Sequence, residues 1–214
     1  MPTAIVTGAS RGLGLELARV LLTAGWQVIA DARSPLTEPG LTARQGDVTD
    51  PRHREELLAG VQTLDLLINN AGTLGPSPLP FLNEVPVEAL RAVYEANVIA
   101  PLALTQLALP LLRKSNGILV NVTSDAAPEA YPGWGAYGSS KAALEALSRV
   151  LAVEEEGVTV WQVDPGDLRT QMQQDAYPGE DISDRALPST VAPGLLKLLA
   201  ERPPSGRYRL PEWA

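Results

Sequence analysis

Short apolar runs rich in β-branched residues alternate along the chain with longer stretches whose apolar positions repeat every three to four residues. The short runs are Thr3 to Thr7, Gln27 to Asp31, Thr42 to Asp47, Leu64 to Asn69, Gly117 to Thr123, Val158 to Val163 and Arg207 to Leu210, and each predicts a strand. Between them, sets such as Leu13, Leu17, Val20 and Leu21, or Leu144, Leu147 and Leu151, fall on one face of a helix. Regular strand–helix alternation predicts an α/β, doubly wound fold: a seven-stranded parallel sheet with helices on both faces. No internal repeat, Ser/Gly linker or charge block divides the chain, so residues 1–214 read as a single domain.

Two stretches depart from this rhythm. The long helical pattern from Val87 to Lys114 contains Pro101 and Pro110, which should bend or interrupt it, and Asn97 stands shortly before the first. The segment Gln171 to Leu187 is polar and acidic, carries Pro178 and Gly179, and has no clear period. It predicts an irregular loop, and a loop of this length in a compact domain is usually either a functional lid or a disordered piece; a substrate lid is the expectation here.

Composition narrows the chemistry. Apolar residues make up 45% and charged residues 20%, as in a globular fold with a buried core. A formal charge of −8 with scattered basic residues argues against a nucleic-acid partner. No run reaches the roughly 18 uninterrupted apolar residues of a membrane span, and the first residues resemble a strand rather than a leader, so no membrane partner and a cytoplasmic location are expected. With no Cys and one His, His53, a disulfide framework, a thiol nucleophile and a multi-His zinc site are excluded, and no metal is expected. Redox chemistry would have to come from an organic cofactor.

The first strand runs through Thr7, Gly8, Ala9, Ser10, Arg11, Gly12, Leu13 and Gly14 into a helical pattern. Glycines there permit a tight turn and bring main-chain N–H groups and a helix N-terminus to a pyrophosphate. The spacing, T-G-x-x-x-G-x-G, resembles the short-chain dehydrogenase/reductase family, and the likeness extends over residues 3 to 170. Asp47-Val48 matches that family's adenine-contacting pair, and Asn69-Asn70-Ala71-Gly72 matches its N-N-A-G. Ser124 stands thirteen residues before Tyr137, and Tyr137 to Lys141 forms its Y-x-x-x-K. Pro165-Gly166-Asp167-Leu168-Arg169-Thr170 matches its P-G-x-x-x-T. The resemblance implies Asn97, Ser124, Tyr137 and Lys141 as catalytic residues. It implies Gly8, Ser10, Arg11, Gly12, Leu13, Gly14, Arg33, Asp47, Val48, Asn70, Ala71, Gly72, Tyr137, Lys141, Pro165, Gly166, Leu168 and Thr170 as the nicotinamide-nucleotide site, and a homodimer or homotetramer as the assembly. Asn97 would hold a water linking Lys141 to solvent.

Helical spacing also brings Lys141 to the face of Tyr137, where a nearby cation favours the phenolate of a general acid–base. Ser124, at the carboxyl end of a parallel strand, is placed to polarise a carbonyl. At the end of the second strand Ala32 occupies the place of a ribose-binding acid and Arg33 follows it. NADP(H) is therefore the preferred cofactor, with NAD(H) possible if Asp31 faces the ribose after a one-residue slip. Asp125 either lines the pocket or caps a turn, and Trp134 either walls the pocket or packs. The expected activity is NADPH-dependent reduction of a small-molecule carbonyl, or oxidation of the matching alcohol. The competing reading is a catalytically silent NADP(H)-sensing protein, although both Tyr137 and Lys141 are present.

Overall fold

The computed structural model describes residues 1–214. Seven strands form one parallel sheet: β1 (Thr3–Val6), β2 (Gln27–Ala32), β3 (Thr42–Gln45), β4 (Leu66–Asn69), β5 (Ile118–Val122), β6 (Thr159–Asp164) and β7 (Gly206–Arg209). Their order is β3-β2-β1-β4-β5-β6-β7, so the winding reverses between β1 and β4. At that reversal the strand ends part and leave a crevice, the place where open α/β sheets bind ligands.

The central strands are apolar throughout because both faces are covered. In β1, Val6 packs in one core layer and Ile5 in the other; Ile68 and Leu67 of β4, and Val120 and Leu119 of β5, divide in the same way. The first layer includes Leu13, Leu17 and Leu21 of α1 (Gly12–Thr23) and Leu195 and Leu198 of the penultimate helical segment. The second includes Leu57 of α2 (Pro51–Leu58) and Leu104, Ala108 and Leu112 of α4 (Ala100–Ser115).

The helical run before β5 is broken differently from the expected kink. α3 (Val87–Tyr94) passes through one π-turn (Glu95–Ile99) into α4, and Ala100 N–H reaches back five residues to the Glu95 carbonyl. Pro101, in the first turn of α4, has no N–H to offer the Asn97 carbonyl, and the wider turn absorbs that missing bond. Pro110 lies inside α4 without interrupting it. The continuous run Val87–Ser115 matches a membrane span by length and average hydropathy, yet half of its most apolar window is buried within the fold.

The segment after Thr170 also differs from the irregular loop expected. Its first residues form α6 (Gln171–Ala176), capped by the Thr170 hydroxyl, which accepts from Gln173 N–H at 3.2 Å. Arg169 N–H donates to the Ala186 carbonyl at 2.8 Å, so the chain closes back on its own base. α5 (Gly135–Glu154), α7 (Pro188–Val191) and α8 (Gly194–Glu201) complete the helices.

Candidate active site

A cleft of about 1330 Å³ opens at the carboxyl ends of the strands, above the range of ~300–1,000 Å³ common for small-ligand pockets. Every residue expected to hold the nucleotide lines it, from Gly8 to Gly14 through Asp47, Asn70 and Gly72 to Pro165 and Thr170, as do Ser124, Tyr137 and Lys141.

At one end the glycine turn is forced into shape by close contacts. Gly8 has φ +66°, and a Cβ there would lie 2.8 Å from Ala71 Cα; a Cβ on Gly14 would lie 2.5 Å from the Gly8 carbonyl. Gly12 has φ +59°. These positions exclude larger side chains and leave a cradle of main chain. The first turn of α1 has no side-chain cap and no acidic residue, so its N–H groups are free to meet an anion. Thr7 Oγ1 accepts from the N–H groups of Asn70 and Ala71, both at 3.0 Å, and Asn70 Nδ2 donates to the Thr7 carbonyl at 2.9 Å. The turn after β1 and the turn after β4 are thereby joined. This geometry fits a dinucleotide pyrophosphate.

Asp31 lines the cleft but is almost fully buried and engaged with the protein. Its Oδ1 stands 2.6 Å from His53 Nε2, and its Oδ2 accepts from Gly8 N–H at 3.3 Å. Burial outweighs these partners and holds its carboxyl above the usual range. Ala32 follows, and then Arg33, which is exposed, lines the cleft and forms no ion pair; Arg11 has the same three properties. Asp47 is pushed up by burial but pulled further down by two bonds from Thr49 and by the Arg33 and His53 charges. The importance of His53 was not legible, since its partner lies 22 positions earlier.

At the other end α5 meets β5. Tyr137 and Lys141 stand one turn apart, both buried, with Lys141 Nζ 5.5 Å from the Tyr137 ring centre and donating to the Val122 carbonyl at 2.8 Å. A Cβ on Gly138 would lie 2.6 Å from the Ala126 carbonyl, so glycine lets α5 approach the turn that carries Ser124. Burial lowers the Lys141 ammonium from 10.5 to about 8. The Tyr137 phenol is not lowered as the spacing suggests. Burial pushes it well above its ordinary 10, the neighbouring Ser124 hydroxyl offsets this in part, and the charges of Asp164 and Asp125 add to the rise. In this geometry Tyr137 is a phenol, the form that donates a proton.

Asn97 sits in the π-turn behind Gly72, fully buried, rather than on the cleft wall. Its Oδ1 accepts from Thr73 N–H at 2.8 Å, and its Nδ2 donates to the Thr73 carbonyl and to Ser140 Oγ, both at 2.9 Å. Ser124 Oγ donates to Asp125 Oδ1 at 2.9 Å and accepts from Ala126 N–H at 3.2 Å. Behind it, Arg207 bonds the Ser124 carbonyl at 3.2 Å, Asp164 at 2.9 Å and Glu145 at 2.9 Å, tying β7, β6 and α5 together. That support was also missed, because Arg207 reads in the sequence as a strand-edge charge. Trp134 packs edge-on against Tyr137 at 5.7 Å and also against Tyr177, so it both packs and walls the cleft.

The comparisons agree with this geometry. The family description short chain dehydrogenase matches residues 2–181. The chain belongs to that family. An uncharacterized oxidoreductase of Saccharomyces cerevisiae is 35% identical over 208 residues, covering 91% of this chain and 79% of the yeast protein. Serine 3-dehydrogenase of Agrobacterium fabrum is 34% identical over 184 residues, covering 79% and 73%. A short chain dehydrogenase of Shigella flexneri, crystallised with NADP, superposes with a TM-score of 0.88 at 29% identity, covering 98% of this chain and 97% of that one. As a short-chain dehydrogenase the protein is an oxidoreductase of the alcohol–carbonyl class.

Proposed function

We propose that this short-chain dehydrogenase is a cytoplasmic, NADPH-dependent enzyme that reduces the carbonyl group of a small molecule. The observation that carries the reading is the buried Tyr137 beside Lys141 at the end of a cleft whose other end is a glycine cradle. NADPH held in the cleft would supply a hydride for the carbonyl carbon. Tyr137 gives its phenolic proton to the carbonyl oxygen, so ketone, NADPH and one proton become alcohol and NADP+, and Tyr137 regains its proton from solvent. Ser124 positions that oxygen. Lys141 orients the phenol and binds the nucleotide ribose, and Asn97 holds the Thr73 turn and the start of α5 around it. The reverse oxidation uses the same groups.

Arg11 and Arg33, unpaired cations on the β1–β2 side of the cleft, favour a 2′-phosphate, and the Shigella relative's NADP complex supports the same choice. The name of the Agrobacterium relative supports an alcohol–carbonyl substrate. Residues 171–187 act as a lid, since α6 springs from Thr170 at the cleft and Tyr177 reaches Trp134. A homodimer or homotetramer would cover the apolar residues exposed on α4 and α5, among them Leu107, Val150 and Val153. The test is NADPH oxidation against a panel of aldehydes and ketones, repeated with NADH. Turnover with NADPH supports the reading; binding of NADPH without turnover of any carbonyl compound would favour a nucleotide sensor.

A further inference from the structure

The residue after Ser124 is an acid in an awkward place. Asp125 lines the cleft, half-buried, and takes the Ser124 hydroxyl at 2.9 Å, the Ala126 N–H at 2.9 Å and the Tyr131 hydroxyl at 3.2 Å. It forms no ion pair, whereas Asp164 pairs with Arg207 and Asp167 faces Arg185 at 3.7 Å. Glu129, which shares the Tyr131 hydroxyl, adds a second acid at the rim.

For an uncharged substrate this arrangement opposes the reaction. As hydride arrives, negative charge grows on the oxygen beside Ser124, and a carboxylate one hydrogen bond away repels it. The same carboxylate disfavours the Tyr137 phenolate left after proton donation. A positive charge on the substrate itself would cancel both effects.

The surrounding wall suits such a charge. Trp134, Tyr137 and Tyr177 form one aromatic cluster, with ring centres 5.7 and 6.2 Å apart. Aromatic faces attract ammonium groups. None of the basic side chains of the cleft pairs with Asp125. Arg11 and Arg33 lie by the glycine turn, Lys141 is bonded to Val122, and Arg169 bonds the Ser183 carbonyl.

Resting on the carbonyl-reductase reading, we infer that Asp125 is a specificity-determining residue that binds a protonated amine on the substrate, close to the reacting carbonyl. The substrate class is an amino ketone or, in reverse, an amino alcohol. The carboxylate holds the ammonium, the aromatic cluster packs its carbon substituents, and the Ser124 hydroxyl, relieved of its bond to Asp125, turns to the substrate oxygen.

The test compares 3-(dimethylamino)propiophenone, an ammonium at neutral pH, with 4-methyl-1-phenylpentan-1-one, its uncharged isostere, in the NADPH-loaded protein and in Asp125→Asn. The amide still accepts from Ala126 N–H, and a thermal melt of the variant checks that the turn is kept. The wild type should prefer the ammonium ketone by about tenfold in kcat/KM, chiefly through KM, and Asp125→Asn should lose that preference. Equal use of both ketones by the wild type, or an unchanged preference in the variant, overturns the inference. Calorimetric binding of the ammonium ketone separates the two readings. If neither ketone is reduced, the carbonyl panel decides the reductase reading on its own, while binding about tenfold weaker in Asp125→Asn still supports the cation site and equal binding overturns it.

Discussion

Asp31 and His53 form a buried pair, 2.6 Å apart, directly beneath the glycine turn. The pair links four pieces of the nucleotide site. Asp31 is next to last in β2 and accepts from Gly8 N–H, while the His53 ring on α2 lies against Gly46, where a Cβ would come within 2.2 Å of Nδ1. His53→Leu leaves a buried carboxylate without its side-chain partner. It should cost about 3 kcal/mol of stability and weaken NADPH binding, measured by denaturant unfolding and nucleotide titration. A loss under about 0.5 kcal/mol, within the range of an ordinary surface substitution, would contradict this role.

Lys141 costs stability in the free protein, because burial lowers its ammonium from 10.5 to about 8. Below pH 8 both folded and unfolded chains are protonated there, and the folded chain bears the full desolvation cost. Between about 8 and 10.5 the folded chain loses the proton first and the cost fades. Lys141→Met should therefore be more stable than the wild type at pH 7, by up to about 3 kcal/mol, and the gap should close as pH rises through that window. A gap that does not change with pH would show that desolvation of the ammonium is not its cause. The variant should be inactive, a trade of stability for function.

The proposed NADP(H) preference rests on Arg33 and Ala32. A charge-assisted Arg–phosphate contact is worth roughly 1.5 to 3 kcal/mol, or about 10- to 150-fold in affinity. Ala32→Asp with Arg33→Ala should move the ratio of kcat/KM values toward NADH by a comparable factor. A wild type that already prefers NADH would place the ribose against different residues.

Residues 171–187 should exchange amide hydrogen more slowly once NADPH is bound. α6 is short, Thr170 supplies its cap, and few apolar side chains hold it, chiefly Ala176, Tyr177 and Ile182. Slowing concentrated in this segment and in the glycine turn, measured by hydrogen exchange, supports a lid. Equal exchange with and without nucleotide removes it.

The strands were legible because a parallel strand buried on both faces leaves a continuous apolar run, and β1, β4 and β5 each lie within the run that predicted them. The cleft was legible because its parts are main-chain turns whose glycines can be replaced by nothing larger, as the contacts of Gly8 and Gly14 show. What depends on tertiary contact was not. The π-turn at Asn97 shows in sequence only as a proline four residues later, and α6 has almost no apolar periodicity of its own. Lys141 could be placed beside Tyr137 from spacing alone, but the depth at which the phenol is buried could not. That depth pushes the phenol above its ordinary range.

The central claim is that Tyr137 delivers the proton. Tyr137→Phe keeps the ring against Trp134 and removes the hydroxyl. With a carbonyl substrate identified, steady-state NADPH oxidation by this variant should fall by about two to four orders of magnitude, while NADPH affinity, titrated in parallel, changes little. Turnover within a factor of a few of the wild type would contradict the account.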